Sequence, residues 1–149
     1  VDELDTLFNK RSGMMGLTGF GDLREVHRLG EEGNEDAKLA LDIYVHRIVG
    51  YIGNYTAQMG GVDVITFTAG VGENDDVVRK MVCDKLAPFG VKLDEEKNAT
   101  RSKEPRIIST PDSAVTICVI PTNEELAIAR KSAAIAEEGK DSYGNVFSK

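Results

Sequence analysis

Residues 62–74 read Val62-Asp63-Val64-Ile65-Thr66-Phe67-Thr68-Ala69-Gly70-Val71-Gly72-Glu73-Asn74. Val64, Ile65 and Phe67, with Thr66 and Thr68 between and after them, form the β-branched and aromatic run of a buried strand. Ala69-Gly70-Val71-Gly72 then removes side chains where the chain turns. Glu73, Asn74, Asp75 and Asp76 are residue types that open helices. Val77, Val78, Met81, Val82 and Leu86 continue at helical spacing, so a helix is expected over 75–87. Strand, glycine turn and helix start together aim backbone N–H groups at one point, with the positive end of the helix dipole behind them. The spacing is neither GxGxxG nor GxxxxGK[ST]. A turn without a ligand and a nucleotide or phosphate site both satisfy it. The acidic and amide residues after the glycines suit a loop that grips adenine and ribose better than a bare phosphate cradle.

At 149 residues the chain suits one domain, 1–149, with a real core. Eighteen basic and 25 acidic residues leave a net charge of −7, which argues against general nucleic-acid binding. No apolar run approaches the ~20 residues that span a bilayer. Cys83 and Cys118 lie singly on apolar segments and read as buried free thiols, hence an expected cytoplasmic setting. The start at Val1, without an initiator methionine and inside a helical pattern, is expected of a piece of a longer protein.

From the N-terminus, Val1, Leu4 and Leu7/Phe8 share a helix face. Residues 12–21 hold four glycines and read as a loop with Met14, Met15 and Leu17 as anchors. Asp22 stands where a helix begins. Residues 35–59 carry the longest helical pattern, with a stripe through Ala37, Ala40, Leu41, Tyr44, Ile48, Ile52 and Tyr55, widened by Ile43, Val45 and Val49. So wide a stripe predicts burial against more than one element, a subunit interface included. Its tyrosines and His46 read as packing residues. His27 is a lone histidine without a second ligand at metal spacing. Residues 91–99 read as a short strand followed by a charged turn. Residues 106–110 and 114–120 read as two strands joined at Pro111-Asp112-Ser113. Thr122-Asn123-Glu124-Glu125 has the form of a capping box. Residues 140–149 lack periodicity and read as a frayed tail.

Phe67-Thr-Ala-Gly-Val-Gly-Glu-Asn74 resembles the FTAGIGEN-type motif of acetate kinases, with Val71 where isoleucine is common. Ser12-Gly-Met-Met-Gly-Leu-Thr-Gly19 with Asp22-Leu23-Arg24 is similar to the family's SGLLGISG…DFR region. Leu23 stands where the family often has Phe. Pro121-Thr-Asn-Glu-Glu-Leu-Ala-Ile-Ala-Arg130 is similar to its PTNEELAIAR stretch. The three matches keep the family's order and span most of the chain.

The resemblance implies an α/β fold of the ribonuclease-H-like, actin-like ATPase type. It implies a mixed sheet flanked by helices, forming part of the second domain of a two-domain kinase. It implies reversible transfer of the ATP γ-phosphoryl group to acetate, giving acetyl phosphate and ADP, with Mg²⁺. Asp22, Leu23, Arg24, Gly70, Val71, Gly72, Glu73 and Asn74 would then face ATP or ADP, and Glu124 the magnesium. Arg24 reads either as a solvated helix arginine or, through the resemblance, as a guanidinium over the nucleoside. Glu124 reads either as a favourable helix-start acid or, through the resemblance, as an oxygen ligand to Mg²⁺ through water. The family's catalytic residues at the γ-phosphate map to none of these positions. The resemblance also implies a homodimer, the usual state in the family, to which residues 35–59 are expected to contribute. A propionate or butyrate kinase of the same family, and a non-enzymatic actin-like nucleotide-binding module, are the competing readings. The PTNEELAIAR match favours a kinase.

Overall fold

The computed structural model of the chain describes residues 1–138; the expected frayed tail lies outside them. Helices α1 (Asp2–Lys10), α2 (Gly13–Thr18), α3 (Leu23–Glu31) and α4 (Glu35–Met59) come first. Strand β1 (Val64–Phe67) leads into α5 (Ala69–Asn74) and α6 (Asp76–Lys85). After a 3₁₀ turn at Ala87–Phe89 come α7 (Glu95–Ala99), β2 (Arg106–Ile107), β3 (Thr116–Val119) and α8 (Glu124–Glu138).

The sheet is mixed and small, in the order β1-β3-β2. β1 runs parallel to β3 with Val64 opposite Thr116 and Phe67 opposite Val119. β2 runs antiparallel to β3, joined to it through the expected turn. Ile117 and Val119 point into the main core with Ile108 and Val115. Val78, Val82, Cys83 and Leu86 cover them from α6 and its end, and Val45 comes from α4. A second core joins Val26 of α3 to Ala37 and Leu41 of α4, with Met14 packed on it. Met81 touches both cores, so α6 braces the α3–α4 pair against the sheet.

Helix α4 has the expected bounds because its ends are well marked. Asn34 Oδ1 accepts from the Ala37 N–H at 2.9 Å, and Gly60 closes the helix in the left-handed region at φ 76°. Its burial is narrower than the stripe predicted. Ala37, Ala40, Leu41 and Val45 are buried, whereas Leu39, Ile43, Tyr51, Tyr55 and Met59 are exposed. Tyr51 and Tyr55 stack at 6.4 Å, and Arg47 lies 5.7 Å from the Tyr51 ring. His46 is exposed too, so of the tyrosines of α4 and His46 only Tyr44 packs on the core, beside Ile48, Val49 and Ile52. The expected face of α1 is likewise uncovered among the described residues, with Leu4, Leu7 and Phe8 exposed, and Leu126 and Ile128 of α8 are exposed too.

Three local expectations are corrected. Residues 13–18 are helical rather than loop, because Met14 docks on the second core and tertiary packing outweighs the ~1 kcal/mol helix penalty of a glycine. Residues 91–99 are not a strand. Leu93 makes an isolated bridge to Ser109, and the charged run becomes α7, since Asp94 accepts from the Lys97 N–H and acids favour a helix start. Thr122 is not the cap of α8. Asn123 Oδ1 accepts from the Leu126 N–H at 3.0 Å, while Thr122 turns to Glu73. Of the cysteines, Cys83 is buried and Cys118 half-buried, both free thiols.

Candidate functional site

The strand–glycine–helix element differs from its expected shape. Residues 69–74 are themselves a short helix, α5, entered through Ala69 at φ 59°. Of the N–H groups that open α6, that of Val78 is taken by a side chain: Asp75 Oδ1 accepts from it at 2.9 Å. The glycines therefore serve separate ends. A Cβ added at Gly72 would stand 3.1 Å from the Phe67 carbonyl carbon, so Gly72 lets α5 fold back tightly on β1. A Cβ at Gly70 would meet nothing within 4 Å.

Gly70 opens onto a cavity of about 890 Å³. Asp22, Leu23, Arg24 and His27 of the α3 segment form one wall, and Gly70, Val71 and residues 74–77 form the other, with Arg101 beside them. Two stretches far apart in sequence thus converge on one space. Asp22 caps α3 through the Arg24 N–H at 2.9 Å. The Arg24 side chain returns to the same carboxylate, Nη2 to Oδ2 at 2.5 Å. This hydrogen bond holds the Asp22 carboxyl at about 2, well below the usual carboxylate range. The pair is solvent-exposed, so releasing the guanidinium toward a ligand costs little.

Other expected site residues fall elsewhere. Gly72 does not line this cavity. Asn74 reaches both this cavity and a smaller one of about 480 Å³, and its amide donates to the Gly70 carbonyl at 2.8 Å. Glu73 faces the smaller cavity with Thr122 and Asn123. The Thr122 N–H donates to Glu73 Oε1 at 2.8 Å and the Thr122 hydroxyl at 3.1 Å. These bonds, the backbone one first, depress the Glu73 carboxyl. Glu124 is in the first turn of α8, exposed, and lines neither cavity.

Among the described residues no group of three His, Cys, Asp or Glu side chains could cage a metal. A lone exposed carboxylate nevertheless fits a cation that takes oxygen ligands, keeps its waters and takes the rest of its ligands from phosphates.

Sequence reasoning missed Arg79 and His27. Arg79 is 2 % exposed. It donates to the carbonyls of Gly72 and Glu73 at 2.9 and 3.0 Å, and to Asn98 Oδ1 and O at 2.7 Å each. Burial pulls its pKa below the usual arginine value, and the neighbouring Arg106 charge adds to this. It clamps the end of α5 to α7. The signal was an arginine on the buried face of α6, between Val78 and Val82. His27 binds Asp75, Nε2 to Oδ2 at 2.8 Å, with both side chains largely shielded. No local pattern announces that contact, because the partners are 48 residues apart.

Known proteins resemble the chain along nearly all of this architecture. The model of the acetokinase family matches residues 1–130. An acetate kinase of Leifsonia xyli subsp. xyli is 55% identical over 132 residues, 89% of this chain and 33% of that protein. One of Desulfotalea psychrophila is 53% identical over 135 residues, 91% of this chain and 33% of that protein. The chain therefore spans about a third of the length of the curated relatives it matches. Among solved structures, the Porphyromonas gingivalis acetate kinase superposes with a TM-score of 0.80 at 42% identity, covering 91% of this chain and 34% of its own. A propionate kinase of Francisella tularensis superposes at 0.78 and 39% identity, covering 87% and 33%. The family match over most of the chain and the likeness to curated and solved relatives together show that the chain belongs to the acetokinase family.

Proposed function

We propose that this chain is the nucleotide-binding part of an acetate kinase, which transfers the γ-phosphoryl group of ATP to acetate, reversibly. The observation that carries the reading is the cavity joining Asp22-Leu23-Arg24 to Gly70-Val71. Its two walls bring a planar cation and open backbone to one space, as adenine and ribose require. Phosphoryl transfer is catalysed mainly by positioning and charge neutralisation. In this chain Gly70 admits the nucleotide, Arg24 covers it, and Asp22 holds Arg24 ready. Mg²⁺, when bound, neutralises phosphate charge, and Glu124 is the residue that would hold it through water.

The groups that act on acetate are assigned to the rest of the enzyme, so chain 1–149 alone is expected to give no turnover. Homodimerisation through the exposed ridge Leu39, Ile43, Tyr51, Tyr55 and Met59 of α4 accompanies this reading. So does a reducing cytoplasmic setting, in keeping with the Cys83 thiol, which burial raises to about 11. Propionate as acceptor is the second reading, favoured by the likeness to the Francisella tularensis propionate kinase.

A coupled assay of the full-length enzyme with acetate and with propionate tests the assignment. A kcat/KM for acetate above that for propionate is expected. The reverse order replaces acetate by propionate, and no turnover with either removes the kinase reading.

A further inference from the structure

The two walls of the large cavity belong to different parts of the fold. Among the described residues, one hydrogen bond joins them directly: His27 of α3 to Asp75 at the α5–α6 junction, at 2.8 Å. A carboxylate only accepts, so the histidine Nε2 carries the hydrogen. Both side chains are shielded, with 17% and 13% of their surface exposed, so the bond is not diluted by water as a surface pair is.

Each partner is tied to the binding surface behind it. His27 lies three and four residues past Arg24 and Leu23, on the same helix face. The other oxygen of Asp75 caps α6 through Val78, and the Asp75 N–H donates to the Val71 carbonyl at 2.9 Å. Asn74 beside it holds the Gly70 carbonyl. A shift at His27 is therefore transmitted to Gly70 and Val71 on one side and to Asp22 and Arg24 on the other.

We propose that His27 is a positioning residue that sets the width of the cavity through Asp75, and so the affinity for an adenine nucleotide. This rests on the nucleotide reading of the cavity. His27 touches no reacting atom.

The test is ADP titration of isotope-labelled chain 1–149, with and without Mg²⁺, followed by backbone amide shifts, for wild type, His27→Leu, His27→Asn and His27→Gln. Glutamine places an amide N–H close to where Nε2 stands; asparagine has the same chemistry but falls short; leucine has the bulk without the hydrogen. His27→Leu and His27→Asn should weaken ADP binding ~3–10-fold, the worth of one positioned hydrogen bond, with dispersed spectra retained, and His27→Gln should stay within ~2-fold of wild type. Unchanged affinity in folded His27→Leu and His27→Asn overturns the proposal alone, and so does failure of His27→Gln to recover affinity. Collapse of both spectra overturns it as well, since the contact would then determine the fold. Absence of ADP binding by the wild type overturns the nucleotide reading and this proposal together.

Discussion

Glu73 and Thr122, 49 residues apart, are joined by two hydrogen bonds to one carboxylate oxygen, from the Thr122 N–H and its hydroxyl. The last turn of α5 is thereby tied to the segment that begins α8 and carries Glu124. Because these bonds lower the Glu73 pKa, the ionised carboxylate adds stability above the ordinary glutamate pKa. That contribution is lost as pH falls through the depressed folded-state value. Denaturant midpoints measured from neutral to acid pH should show wild type above Glu73→Ala, with the gap closing in acid. A gap independent of pH would mean that the contact holds equally without charge.

Gly70 and Gly72 should separate function from folding. Gly70→Val, with open space around its Cβ, should leave stability nearly unchanged. In the full-length enzyme it should raise the KM for ATP and spare that for acetate. Gly72→Ala should instead cost ~1–3 kcal/mol of stability, since its Cβ presses on the Phe67 backbone. Thermal unfolding beside steady-state kinetics distinguishes them; equal shifts in both KM values for folded Gly70→Val would contradict the assignment.

Arg79 should be irreplaceable by lysine. Its four acceptors, two of them carbonyls at the end of α5, match a planar fork and not a point charge. Arg79→Lys should lose ~2–4 kcal/mol in urea unfolding, because buried acceptors lose their donors. A loss below ~0.5 kcal/mol would show that lysine or water satisfies them.

Much of this site was legible in the residues themselves. Asp22 before Leu23 and Arg24 marks a cap, and a cap it is. Asn34 and Gly60 bound α4 as local chemistry says they should. Local rules failed where tertiary contacts decide. The glycines of residues 69–74 read as a turn, but Arg79 and Gly72 allow that stretch to close into a helix against β1. The Glu73 carboxylate meets Thr122, a threonine far along the chain, and no local pattern announces that contact. His27 looked solitary because its partner is supplied by another helix junction. The breadth of the α4 stripe could not say which of its apolar residues the described chain covers.

Ala69 enters α5 at φ 59°, a left-handed conformation that costs an L-residue with a Cβ roughly 1–2 kcal/mol. Ala69→Gly should relieve this and stabilise the chain by ~0.5–1 kcal/mol after the added backbone entropy of glycine. A lowered urea midpoint would show that the alanine methyl packs favourably enough to offset its backbone.

The most direct measurement is a map of backbone amide shifts in chain 1–149 as ADP and Mg²⁺ are added. Shifts concentrated at residues 22–24, 70–71 and 74–77, on both walls of the one cavity, are the predicted result. A saturating response elsewhere, or none at millimolar ADP, would contradict the claim that this chain carries the nucleotide side of an acetate kinase.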